Sequence, residues 1–187
     1  MYSIELMVME HDNILLFIEA VRNACCGILE GKEVDTEDFE KMIQFARNYA
    51  DKHHHGKEEQ VLFLEMTEHL GKIGENLIQH GMLIEHDYGR LHISDLEASL
   101  NLYKEDLQTI YKLGIIEGAA GYANLLTRHI DKENEVVYKY AEKSLAPEIL
   151  ESVDSRVRDF EKEAEQQKIQ EKYLGILKDL REKYCAN

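Results

Sequence analysis

Tryptophan is absent from this chain of 187 residues, proline occurs once, as Pro147, and cysteine three times. One proline excludes proline-rich linkers and leaves long helices uninterrupted. Cys25 and Cys26 are adjacent and Cys185 stands far away, without a CxxC spacing. That arrangement excludes a disulfide framework, a zinc ribbon and a dithiol redox motif, so the thiols read as reduced bystanders. No apolar run approaches the roughly 20 residues that cross a bilayer. The opening MYSIELMVMEHD carries Glu5, Glu10 and His11 where a signal peptide would be apolar, so a cytoplasmic protein is expected. Basic side chains are outnumbered 22 to 37, and the formal charge of −15 repels phosphate backbones and anionic lipid. Neither nucleic acid nor a membrane is an expected partner.

Alternation of β-branched residues is also missing, while apolar residues recur at spacings of three and four over nearly the whole length. The chain is expected to be all-α. A first helix is expected over about 3–29, ending near Gly31. Asp35 or Thr36 caps a second that continues to about His69, with Glu37 and Asp38 favourable in its first turn. Gly71 and Gly74 separate it from a third over about 75–103. A fourth runs from about Asp106 to Ser144, weakened early by Gly114, Gly118 and Gly121. Pro147 suits the first turn of a fifth that ends near Tyr184. Long helices on short connections favour an up-down-up-down four-helix bundle over residues 1–145, with the C-terminal helix of 146–187 packed along it. A homodimer contact through that last helix is the alternative use of its sparse apolar positions.

The chemical signal is an internal repeat. MVMEHD, from Met7 to Asp12, returns as MLIEHD from Met82 to Asp87, and HHGKEEQVLF at His54 returns as HIDKENEVVY at His129, both at a shift of 75. The register pairs His11 with His86, His54 with His129, Lys57 with Lys132 and Glu58 with Glu133. His55 then matches Ile130, and Glu59 matches Asn134. Helical periodicity pulls the other way, since His55 and Glu59 fall at seven-residue steps from Phe45, Lys52 and Met66. Both registers stay open on the sequence alone, with the repeat favouring His54 and Glu58.

Residues four apart on a helix share a face, so each HxxxE presents an imidazole and a carboxylate to one point. His11 and His54 are equidistant from the Gly31 turn, and His86 and His129 from a turn near Asp106, which places all six at one height. Four imidazoles with two carboxylates suit iron, manganese or zinc better than calcium or magnesium. Six ligands fit two ions, each with two histidines, linked by Glu58 and Glu133. His53, His69, His80 and His92 fall outside the pattern and read as surface residues, and His55 as a support beside the ligands.

These motifs resemble the haemerythrin-like HHE cation-binding domains, over roughly residues 1–145. The resemblance implies a four-helix bundle with two non-haem iron ions bridged by carboxylates. It also implies His11, His54, Glu58, His86, His129 and Glu133 as ligands. The family role it implies is the handling of oxygen, nitric oxide, peroxide or iron, as binder or sensor. A di-iron enzyme turning over peroxide or nitric oxide, or an iron- or zinc-holding interaction module, are the alternatives. One departure stands out: Arg90 occupies the place of the second helix-three histidine of haemerythrin proper, which argues against a reversible oxygen carrier. Ferritin-like proteins place the carboxylate before the imidazole, as Glu-x-x-His, the reverse of the order here.

Overall fold

A computed structural model describes residues 1–186. The first helix, α1 (Tyr2–Leu29), buries one stripe that includes Met7, His11, Ile14, Phe17 and Val21, spaced by threes and fours. It ends at Gly31, whose φ of 96° is open to glycine at little cost. Asp35 then caps α2 (36–69), its side chain accepting from the Asp38 N–H at 3.1 Å. The helices that follow are α3 (71–105) and α4 (109–144), and together these four form the expected all-α bundle.

The glycines of the third and fourth helices do something other than break them. Gly74 lies inside the first turns of α3, where a Cβ would stand 2.4 Å from the Met66 carbonyl oxygen. The chain reverses instead at Leu70 and Gly71. Along α4, a Cβ at Gly114 would meet the Ser99 hydroxyl, one at Gly118 the Leu96 backbone and one at Gly121 the His92 ring. Those three glycines let α3 and α4 approach closely, so the feature read as weakness is a packing groove.

The expected single C-terminal helix is two. Pro147 opens α5 (Pro147–Gln166) as its first residue, and α6 (Ile169–Tyr184) follows after Lys168 turns to a φ of +56°. The break sends the two apolar faces to different places. Val153 and Val157 of α5 join a cluster with Met7, Leu62, Met66 and Val137. Tyr173, Leu177 and Leu180 of α6 join a second with Phe17, Phe45, Leu96 and Leu126. A single straight helix could not serve both. Between the clusters lies a layer of buried polar side chains. Among the described residues, no helix is long and apolar enough to cross a membrane.

Gly118→Ala should force the α3–α4 pair apart, at a cost of about 1–3 kcal/mol. Gly175→Ala, on the exposed side of α6 with nothing within 4 Å of the added carbon, should instead raise stability by up to ~1 kcal/mol. Thermal melts of both variants beside the parent chain check the pair of opposite signs.

Candidate metal centre

Four helices each send side chains into the polar layer. His11 comes from α1, His54 and Glu58 from α2, His86 from α3, and His129 and Glu133 from α4, all of them fully buried. The helices that carry them are not regular there. Backbone turns widen to the π-helical i→i+5 pattern over Ala46–His55, Glu58–Leu62, Ile78–Met82 and Glu133–Val137. The stretches at Glu58 and Glu133 obey the same shift of 75 as the side-chain motifs, so the repeat reaches the backbone. Such widened turns gather at functional sites because they re-aim side chains without ending the helix.

The six side chains meet. Nε2 of His11 lies 2.8 Å from Nε2 of His54, and the same atoms of His86 and His129 are 3.1 Å apart. The two rings of each pair meet edge to face. Glu133 spans both pairs, with Oε2 3.2 Å from His11 Nε2 and Oε1 3.2 Å from His129 Nε2. Glu58 presents Oε2 at 3.6 Å to both His54 and His86, while its Oε1 accepts from the Tyr138 hydroxyl. Among the described residues, Glu58 Oε2 and both oxygens of Glu133 accept no aligned hydrogen bond. Buried polar atoms left in that state cost free energy unless a cation satisfies them.

A ring of outer partners fixes each imidazole. His54 Nδ1 faces Glu10 at 2.9 Å and His129 Nδ1 faces Glu85 at 3.0 Å. These are the glutamates of the two EHD elements. The lysines of the repeat complete the pattern, Lys57 on Glu10 and Lys132 on Glu85. His11 Nδ1 donates to Asn134 Oδ1 at 2.8 Å, and His86 Nδ1 donates to Glu59 Oε1 at 2.6 Å. Since every outer partner is an acceptor, each Nδ1 carries the hydrogen. In its neutral form each ring therefore turns an Nε2 lone pair inward.

Burial, and after it the Glu133 carboxylate, pushes Glu58 well above the usual carboxylate range. Burial acts on Glu133 in the same direction but is outweighed by His129, His11 and His86, which hold it well below. For His129 burial opposes protonation, yet Glu133 and Glu85 raise its pKa to about 10. Burial and then His11 lower that of His54 to about 3. In the metal-free protein the His129 proton thus supplies positive charge beside Glu133. A pKa raised above the unfolded value of 6.5 contributes stability that is full below 6.5 and lost towards 10. Glu58, also raised, acts in the same sense above its unfolded value of 4.5. Denaturation of metal-free protein should therefore show stability falling between pH 6.5 and 10. Metal-loaded protein should not follow that slope, because a bound cation takes over from the proton.

Several participants lie outside the six. Arg90 faces away from the carboxylate pair and bonds Asp51, Glu59 and Asp87, with Nη2 2.7 Å from both Asp51 Oδ1 and Glu59 Oε1. Glu59 accepts from Nδ1 of His86, on the side of that ring away from His129. Tyr138 stacks on His11, and its repeat counterpart Phe63 stacks on His86. Both aromatics close the quoted repeat segments, so the signal for them was present. His53, expected on the surface, is buried beside Lys57 and Glu10 under α5. Its reason is the C-terminal helix, whose Glu161 also pairs with Lys57. Glu10, His53 and Glu161 are spaced like metal ligands, but the Lys57 ammonium is bonded to all three and supplies the positive charge there.

His55 lies with His86 and His129 in a second group whose ligand atoms fall within 4.8 Å of one another, as do those of His11, His54, Glu58 and Glu133. Its ring lies flat on that of His86, with centroids 3.7 Å apart and planes 7° apart. Burial, and then His86, depress its pKa well below the usual histidine value, so the ring is neutral at pH 7.

The donor set, imidazoles and carboxylates in two clusters, suits a non-haem di-iron site. No curated protein and no solved structure matches the chain significantly. The family model described as the Hemerythrin HHE cation binding domain matches residues 2–141. Its span covers the four helices that bear the six side chains and stops before α5. The chain belongs to the haemerythrin HHE cation-binding family.

Proposed function

We propose that this protein holds two iron ions in the polar layer, one by His11 and His54 and the other by His86 and His129. Glu58 and Glu133 link them, and the pair binds or senses a small ligand or oxidant such as oxygen, nitric oxide or peroxide. The observation that carries this reading is the convergence of four inward Nε2 atoms on three carboxylate oxygens that lack aligned donors. The buried Lys57 ammonium is taken up by Glu10, His53 and Glu161, so among the described residues no cationic side chain bonds these oxygens, which require positive charge. When bound, an iron pair supplies redox chemistry and ligand-binding positions. The protein's own part is to hold the imidazoles in one tautomer, to keep Glu133 across the two halves, and to exclude bulk water with Phe63 and Tyr138. The cytoplasm, where thiols stay reduced, suits the free Cys25, Cys26 and Cys185.

Turnover of peroxide or nitric oxide is the second reading, and Tyr138 favours it. Its hydroxyl donates to Glu58 and, with burial and then Glu58 pushing its pKa well above the usual value, keeps a proton at the edge of the layer. Steady consumption of a supplied reductant with peroxide or nitric oxide would establish an enzyme. A single stoichiometric event would establish a binder or sensor.

Elemental analysis of the purified protein should find two irons per chain. His54→Ala and Glu58→Ala should each lose most of that iron. Glu59→Ala, which removes only the support of His86, should keep the stoichiometry and weaken affinity about 10–100-fold. Equal loss in Glu59→Ala and Glu58→Ala would overturn the register. Removing iron from protein saturated at about 100 times its Kd should cost about 2.7 kcal/mol. Since ligating imidazoles must be unprotonated, iron should also leave on acidification through the histidine range.

A further inference from the structure

The two faces of the polar layer are closed by different means. On the His11 and His54 side, Tyr138 covers His11, while Phe160 and Glu161 of α5 lie over Gly56 and Lys57. A Cβ at Gly56 would already be 3.2 Å from the Phe160 ring. On the other side a cavity of about 230 Å³ opens between α2 and α3, with His86 itself in its wall. Ala46, Gly89, Ile93 and Tyr122 make its apolar lining. Its charged residues are largely neutralised in pairs, Arg47 with Glu97 and Arg90 with Asp51. A space of that size and lining admits a small molecule of a few atoms and offers no strong site to a larger charged one.

His55 stands where this cavity meets the metal layer. Two imidazoles that share an ion converge by their nitrogens and splay behind it, as the pairs His11/His54 and His86/His129 do at 62° and 74°. His55 instead lies parallel against the face of His86, with its Nδ1 turned to Asp51 at 3.4 Å. Asp51 is held in turn by Arg90. The internal repeat sharpens the contrast, because the counterpart of His55 is Ile130, a fully buried aliphatic residue of the apolar core. One half of the bundle has an aliphatic wall at this position, and the other has an imidazole that also lines the cavity.

We propose that the α2–α3 cavity is the port by which a small ligand reaches the ion held by His86 and His129, and that the His55 ring is its inner door. The proposal deepens the di-iron reading and rests on it. Azide, a small anion, is the probe, and its binding to the oxidised iron-loaded protein is followed by stopped-flow absorption. Parent protein comes first: if it takes up no iron pair, the functional reading fails by itself, before any variant is made.

His55→Ala should keep two irons per chain and speed azide binding about ten-fold or more, while His55→Phe should restore the slow rate without a ring nitrogen. Ser94→Trp, placed at the exposed mouth, should slow it by a similar factor. Loss of iron from His55→Ala and His55→Phe would make His55 a ligand and overturn the door. An unchanged rate in His55→Ala, or in Ser94→Trp, would overturn the port.

Discussion

Everything in this molecule is arranged around two carboxylates that have been taken out of water. Glu58 and Glu133 sit between two apolar clusters, and burying an isolated carboxylate is among the most costly things a fold can do. The surrounding imidazoles, the proton on His129 and the closed aromatic cover all follow from that constraint. It also explains why the outer partners are acceptors on every ring. If any Nδ1 lost its acceptor, the tautomer could reverse, and an N–H would point at the carboxylates in place of a lone pair. The lysines and arginine then balance the second ring of charge, so that the acidic residues supporting the histidines are themselves paired.

Much of this layer was legible in the sequence because one shift of 75 residues governs it. His54 with Glu58 and His129 with Glu133 stood out as the repeated pair, and the same register contains Glu10, Glu85, Lys57 and Lys132. The aromatic covers Phe63 and Tyr138 were in the quoted segments too. What the repeat could not reveal is where its two copies differ. His53 has Arg128 as counterpart and His55 has Ile130, so the pattern dismissed the first as surface and the second as an accessory. Their burial comes from neighbours distant in sequence, α5 over His53 and α3 beside His55.

The helices were legible in type and the connections less so. Glycine was read as a breaker at position 74 and as a weakness at 114, 118 and 121, because local propensity is all a single sequence offers. In the bundle positions 74 and 118 lie against another backbone, and 114 and 121 against the Ser99 and His92 side chains, so the absence of a side chain is a contact surface. The break at Lys168 had no glycine or proline to announce it. It follows from two apolar faces that must reach clusters on opposite sides of the polar layer, a requirement that exists only once the tertiary fold does.

The differences between the two copies set the two halves of the layer apart. His86 and His129 both donate to carboxylates, Glu59 and Glu85, whereas His11 donates to the neutral amide of Asn134. A carboxylate partner makes an imidazole a stronger donor to a metal. On the proposed assignment, the ion held by His86 and His129 therefore has the richer ligands, and it also faces the α2–α3 cavity. The pair His11 and His54 lies on the side covered by α5, with Lys57 and Glu161 sealing the carboxylate that faces His54. The fold thus starts from a nearly symmetric repeat and departs from it in one direction, closing the poorer half and leaving the richer half next to the opening. Arg90 belongs to that departure. Its guanidinium anchors Asp51 and Glu59 together, so one cation holds both the carboxylate that accepts from His86 and the one that faces His55.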